Sequence, residues 1–513
     1  MQGVAAAWVM TSLTSSATLV ALLTTMASLP LFLVGLPAGA LADVVDRRWL
    51  VLATQAWMLV VAAILSALSA VGWVTPWVLL ALTFLLGLGG ALGAPAWQAI
   101  VPALVPRHEL ASAIALNSAG FNLARAIGPA LGGLLIAAAG PTVVFLLNAL
   151  SFLGIIIVIY YWRPEPVVHT GPTEGVRSAV AAGVRFTRHS PPLRAVLVRT
   201  GVFILAASAL WALLPVVASK QLGLGATGYG VLLGSIGVGA IGGASILPRL
   251  RERLSVDQIV IALTLVFAAG MIGLVYLQNL VLLNLALVAV GVGWLTITSS
   301  FNVAAQITSP AWVQARALGV YLLVFQGGFA GGSAVWGVVA DQLGERNALL
   351  IAAGVMALGI VTARRWPLAT GEEMDLSPSQ HWPSPELAWE PQPDAGPVLV
   401  TIEYRVAEPQ QAEFVETMRE IQMLRLRDGA SRWTLFRDAA EPERFVETFE
   451  VTYWAEHLRQ HERVTIADRA VEERALALQQ PGTVPAVAHL IAVNDVSALA
   501  GLSRTAGASI DGR

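Results

Sequence analysis

Cysteine is absent from the 513 residues, which excludes disulfides, thiolate metal sites, iron–sulfur clusters and a cysteine nucleophile. Lysine is almost absent: with Lys220 alone, no glycine-rich loop can end in Gly-Lys-Ser/Thr, so an ATP-driven pump of the P-loop kind is excluded within this chain. Charge is scarce as well, at 12% of residues, about half the share of a soluble domain. What fills the space is apolar: 56% of residues, with a mean hydropathy of +0.69. Lipid, not water, is the expected solvent for most of the chain. A net charge of -2 gives no footing for a nucleic-acid partner, and the apolar start has neither a basic n-region nor a small-residue cleavage site, so it reads as part of a helix and not as a signal peptide.

Twelve apolar runs read as spanning helices: 1–13, 17–41, 49–71, 76–101, 110–139, 141–162, 195–218, 227–247, 257–276, 280–304, 313–340 and 347–365. The first is short, since a run of this length reaches only about 20 Å of a roughly 30 Å hydrocarbon core. The expectation is that Met1 is an internal start and helix one is incomplete. Residues 167–194 form a polar central loop with Arg177, Arg185 and Arg188. Taking alternate loops, fifteen arginines, from Arg47 and Arg48 to Arg364 and Arg365, fall on one side and only Lys220 and Arg346 on the other. The positive-inside rule then places the loop at Asp43 and the chain after Arg365 on the cytoplasmic side of a bacterial inner membrane.

An offset of 204 residues aligns Gly35 with Gly239, Gly39 with Gly243, Arg47 with Arg251, Gly133 with Gly337 and Gly140 with Gly344, and pairs Gln98 with Asn302 and Asn122 with Gln326. One ungapped offset across five spans implies two parallel six-helix halves, 1–166 and 195–366, of an all-α transmembrane fold. Residues 367–396 are rich in proline and acid without arginine or lysine, a stiff solvated linker. From 397 to 496 the texture is that of a soluble domain. A strand (VLVTIEYRV), a helix over 408–427, two strands around Glu441 and Pro442, a helix over 453–478 and a last strand (VAHLIAV) give a βαββαβ order. That order predicts a small α+β ferredoxin-like domain, followed by a disordered tail over 497–513.

The charged break Gly39 to Arg48, GALADVVDRR, ends an apolar helix. It is either a basic turn that sets topology or a functional element in which Asp43 pairs with an arginine or a helix N-terminus. Arg125 lies inside a span, where a central arginine costs about 2.5–3.5 kcal/mol and should face a cavity or partner, unless it snorkels to the cytoplasmic end. Asn117 and Asn122 lie near it. Gly128, Pro129, Gly132 and Gly133 give small-xxx-small spacing suited to close helix packing. Trp97, Gln98, Trp211, Trp294, Asn302 and Gln326 are candidates for lining a path, each with a packing or interfacial role as its alternative. His457 and His461, spaced i, i+4, could bind a metal, but without a third ligand in view a solvated helix face is the expected reading. No metal site, cofactor or catalytic set is expected, so an enzyme is not.

At Gly39, Asp43, Arg47 and Arg48 the chain resembles the major facilitator superfamily, whose loop between helices two and three carries this Gly-x-x-x-Asp and paired-basic pattern. Val44 stands where the family has a basic residue and Asp46 where it has glycine, and in the second half Leu247 replaces the aspartate. The resemblance implies that Gly39, Asp43, Arg47 and Arg48 latch the outward-facing state, and that spans one, four, seven and ten line the path. Gly128, Pro129, Gly132 and Gly133 resemble the fifth-helix signature of the drug and proton antiporters, which implies export coupled to protons. The tail, with RWTLFRD, FVETFEV and YWAEHLRQHERVT, resembles the extension of a bacterial branch related to the enterobactin exporter, and is similar to the dimeric α/β-barrel folds of small monooxygenases. The reading is therefore a secondary exporter of a small hydrophobic or amphipathic molecule, siderophore-like or drug-like. The alternative is a membrane-tethered enzyme or ligand sensor in which the tail is the active part. Dimerisation through the tail is a further expectation.

Overall fold

The computed structural model describes residues 1–100, 105, 109–162, 176–369, 375–383, 385 and 387–493; the side chains of 36, 40, 42–44, 99, 110, 111, 114, 115, 117–119, 121, 122, 125, 126 and 176–181 lie outside the described residues. The chain forms two compact units. The first is Met1–Val180, Arg194–Gln306 and Leu318–Ala369; the second is Ala181–Leu193, Ile307–Ala317 and Thr370–Arg513.

The first unit is helical. Its elements are α1 (Gln2–Leu13), α2 (Ala17–Val44), α3 (Arg47–Ala70), α4 (Pro76–Ile100), α5 (Leu110–Ala139) and α6 (Pro141–Tyr161), then, after α7 (Val176–His189), α8 (Pro191–Val216), α9 (Ala226–Arg251), α10 (Val256–Tyr276), α11 (Leu280–Ile307), α12 (Gln314–Leu343), α13 (Glu345–Gly359) and α14 (Thr362–Arg365). Among the described residues ten helices are long and apolar enough to cross a membrane. The apolar window of α8 is 78% buried and that of α6 only 22%, so α8 is enclosed by other helices and α6 leaves most of its surface uncovered by protein.

The 204-residue offset reappears in the fold. Helices α5 and α12 are both 30 residues long and start at Leu110 and Gln314. Gly140 and Gly344 then adopt φ of 81° and 86° as the N-caps of α6 and α13, a left-handed turn that glycine enters without a Cβ penalty. The charged break at Gly39 is mostly helix: α2 runs on to Val44, and Asp46 starts α3 by accepting from the Arg48 and Trp49 amides. The aspartate standing where the family has glycine is thus an N-cap. The central loop, expected only as a polar stretch, contains α7, whose polar face is basic and whose other face carries the buried Phe186.

The second unit carries a four-stranded sheet. Strands β1 (Val398–Arg405), β2 (Arg432–Arg437), β3 (Arg444–Val451) and β4 (Ala486–Ile491) are ordered β2-β3-β1-β4, all antiparallel. One face is covered by α15 (Gln411–Asp428), α16 (Trp454–Arg463) and α17 (Ile466–Ala477), with Phe414 and Met418 of α15 buried against Phe445, and Trp454 of α16 against Phe449. Two expectations are corrected here. The helix expected over 453–478 is two, because Thr465 and Asp468 form a capping box that starts α17 anew. The linker is not solvated along its length: Pro378 bridges Thr465, the Ser379 amide donates to Val464, and the Trp454 and Ala455 amides donate to Ala395 and Pro393. Gln380, at φ 47°, turns this strap inward.

Candidate functional site

Helices α2 and α12 meet along a seam that is closed at one end. Asp341, near the end of α12, accepts from the Ser16 hydroxyl at 2.6 Å and from the Ala17 and Thr18 amides at 2.6 and 3.1 Å. A carboxylate there satisfies orphan donors and the positive end of the α2 dipole together. Lys220 adds a bond to the Ser15 carbonyl at 2.6 Å and an ion pair with Glu345 at 3.4 Å. One turn along, a Cβ at Gly337 would lie 2.6 Å from Ala21 Cβ and 2.9 Å from Thr18 Cα, so only glycine fits. Its repeat partner Gly133 plays the same part on α9, where a Cβ would lie 2.6 Å from the Ala226 carbonyl oxygen and 3.1 Å from Gly230 Cα. The glycine-proline motif of α5 is therefore a packing surface, with Pro129 facing Gly230 and with Gly128 and Gly132 beside Met1.

Past the Thr25 hydroxyl, which donates to the Ala330 carbonyl at 2.9 Å, the seam parts into an open cavity of about 450 Å³. Leu29, Phe32, Leu323, Val324 and Ala334 line it, with Gly327, Gly328 and Gly331 forming its α12 floor. Its wall is almost wholly apolar, and its size suits a drug-sized molecule. None of these residues was singled out from sequence; the repeated glycines of α12 were the available signal.

The expected path residues scatter. Trp211 of α8 and Trp294 of α11 do meet, at 5.2 Å between ring centroids, and Trp294 is further ringed by Phe203, Phe267, Phe325 and Phe329. The Trp211 indole N–H is buried without an acceptor. Asn302 accepts from Gln306 at 2.6 Å, and Gln326 is half-buried on α12. Trp97 packs on the Leu50, Ala96 and Ile159 cluster, while Gln98 is exposed. Of the latch residues, Gly39 is half-buried and Arg48 donates to the Ile159 and Tyr160 carbonyls at the end of α6, within its own half. Arg47 is half-buried at the start of α3. The side chains of Asp43, Asn117, Asn122 and Arg125 lie outside the described residues. A pair missed from sequence is Arg199, 4% exposed, bound to Asp257 in the first turn of α10.

In the second unit Phe186 of α7 and Trp312 of the α11–α12 loop stack edge to face at 5.9 Å and fit between two guanidiniums, Arg427 over Phe186 at 5.8 Å and Arg463 over Trp312 at 4.5 Å. Asp428 and Asp468 hold Arg427, and Glu456 joins Arg463 at 2.7 Å to Arg185 of α7 at 3.1 Å. Between sheet and helices lies a charged centre. Arg425 bonds Glu447 at 3.0 Å and Glu472 at 2.5 Å, while Tyr404 and Trp433 donate to Glu447 at 2.8 and 2.9 Å. The strap covers it: His381 and Trp382 meet Glu472 Oε2 at 2.7 and 2.9 Å. Burial pushes the Glu472 carboxyl up, but the Arg425 charge and the donors from His381 and Trp382 outweigh it and leave it at about 2.

His457 and His461 are not on a solvated face, which corrects the reading of that motif. His457 is 1% exposed, its Nε2 is 3.4 Å from that of His461, and His489 of β4 lies 4.8 Å away between centroids. Burial, with His461 and His489 adding to it, takes His457 down to about 3, and burial takes His461 down to about 4. Among the described residues no group of three His, Cys, Asp or Glu is disposed to hold a metal.

The family model described as transmembrane secretion effector, of the major facilitator type, matches residues 1–497. A major-facilitator-type transporter of Sinorhizobium fredii is 28% identical over 67% of this chain and 85% of its own length. The multidrug efflux pump Tap of Mycolicibacterium fortuitum is 26% identical over 65% and 84%, and the staphyloferrin A transporter of Staphylococcus aureus 22% over 51% and 66%. The nucleoside transporter NupG superposes with a TM-score of 0.61 at 10% identity, over 71% of this chain and 94% of that one, which supports the fold alone. The chain belongs to the transmembrane secretion effector family of the major facilitator superfamily of multi-pass membrane transporters.

Proposed function

We propose that the protein is a secondary exporter of a small hydrophobic or amphipathic molecule, working by alternating access between two six-helix halves, the first running from α1 to α6 and the second from α8 to α13. The observation that carries this is the apolar cavity between α2 and α12, sealed at the Asp341 end and open below Thr25. An unpaired charge on the substrate would find no partner in that wall, so neutral or amphipathic molecules are favoured. The arginine bias supports assigning the Asp341 end to the outer face of a bacterial inner membrane, so the cavity opens toward the cytoplasm. That a relative exports drugs and another transports staphyloferrin A supports drug-like or siderophore-like cargo. The coupling ion is proposed to be the proton.

Asp43, Arg47 and Arg48 are retained as the proposed latch of the opposite state, and Arg125, Asn117, Asn122, Gln98, Trp97, Trp211, Asn302 and Gln326 as proposed path residues. Trp211 is the best supported of these, since its buried indole N–H has no acceptor from the protein. The strand order β4-β1-β3-β2 supports a ferredoxin-like tail on the cytoplasmic side, and its open face, with Leu399 and Leu490 cross-paired and Phe436 54% exposed, supports dimerisation with a second copy.

The experiment is efflux from cells carrying the full-length gene, measured over a panel of drugs and siderophores. Gly331 lines the cavity and has open space where a Cβ would stand, so Gly331→Leu fills it without disturbing packing. Efflux should fall at least tenfold at unchanged protein level. Unchanged efflux would remove the cavity from the transport path.

A further inference from the structure

We infer that the charged centre of the C-terminal domain is a binding site for a small aromatic amine, which takes the place of His381 and Trp382 of the strap against Arg425 and Glu472. A buried arginine with two carboxylates is poor evidence of stability, because desolvating the charges offsets their attraction. Perturbed charged groups enclosed in an apolar interior point to a functional site. Tyr404, Trp433 and the Arg425 Nε belong to the sheet and to α15 and satisfy Glu447 from within. Glu472 differs. Its Oε1 takes Arg425, but its Oε2 is served by the strap, through an imidazole at 2.7 Å and an indole N–H at 2.9 Å. The Trp382 ring also lies 4.7 Å beneath the Arg425 guanidinium and meets His461 edge to face at 5.0 Å.

The strap therefore presents a flat ring to a cation and nitrogen donors to a carboxylate, which is the chemistry of an aromatic amine. It is fitted to be displaced. Its described residues belong to no strand or helix; backbone bonds at Asp375, Ser377 and Ser379 and the bridge at Pro378 tie its first part, and His381 and Trp382 follow beyond them through Gln380 at φ 47°, the one non-glycine residue with positive φ among the described residues. Lifting the strap releases that strain, and backbone outliers of this kind concentrate at clamps and switches. His381 remains 20% exposed, so the site is reachable from water.

The test uses the purified full-length protein in detergent and tryptamine as the probe, with butylamine as the aliphatic control. Hydrogen exchange is followed in peptides holding the Ser379 and Ile466 amides, which bond Val464 and Ser377. Saturating tryptamine should speed their exchange at least tenfold, and butylamine should not. Trp382→Ala should bind tryptamine about tenfold more tightly, and adding Glu472→Gln should abolish that binding. If the Glu472→Gln variant does not fold, the exchange result on the wild-type chain decides alone. Wild-type exchange that stays unchanged at tryptamine concentrations saturating Trp382→Ala would overturn the inference, since the variant would then hold only an artificial hole. Absence of binding to either protein overturns it equally.

Discussion

Asp341 binds three donors of the first turn of α2 from a position 325 residues away. Replacing it with alanine removes a cap worth about 0.5–2 kcal/mol and should loosen the sealed end. Faster labelling of a cysteine placed at Ser15 by a membrane-impermeant thiol reagent would show it, the chain having no cysteine of its own. His457 bears on acid stability. Its folded pKa, near 3, lies below the unfolded 6.5, so the unfolded chain binds more protons between those values. The stabilising contribution is complete above about pH 6.5 and is lost as pH falls toward 3, with a slope of about 1.4 kcal/mol per unit at most. Glu472, held at about 2, loses its own contribution only below about pH 4.5. Exchange protection of α16 should therefore fall between pH 6.5 and 5, and His457→Leu should flatten that fall. Neither role was legible in the sequence. Asp341 stood one residue beyond the expected end of its span, and the histidine pair showed its spacing but not the β4 histidine that buries it.

At the scale of elements, Gly133 at the contact of α5 with α9 and Gly337 at that of α12 with α2 leave no room for a side chain. A valine at either position cannot fit without moving the partner helix, because the obstructing atoms include backbone. Gly133→Val and Gly337→Val should each reduce efflux at least tenfold, whereas Gly331→Ala, which meets no atom within 4 Å, should be neutral. The same efflux assay separates them. The Phe186 and Trp312 wedge makes a second prediction. Trp312→Ala removes the ring under Arg463 and the edge contact to Phe186, so limited proteolysis should cut near Arg185 several-fold faster. The apolar helices and the matching of α5 with α12 were visible in advance because hydrophobic period and glycine spacing are local properties. The wedge was not, since its rings and guanidiniums come from three separate stretches of chain.

For the molecule as a whole, composition is decisive. A chain with one lysine, no cysteine and long uncharged runs has few ways to hide its backbone polar groups other than as helices in a bilayer, and the 204-residue offset already required two similar halves. The order of helices and strands followed from periodicity, and the family followed from four residues of one loop. The tertiary structure decided which surfaces meet. It closed one end of the seam through Asp341, left an apolar cavity beside Phe32, and turned a proline-rich linker into a strap over a buried charged centre. These outcomes depend on pairs of residues tens to hundreds of positions apart, and no local pattern encodes such a pairing. Sequence fixes what each segment can bury and in what period; only the folded chain determines what is buried against what.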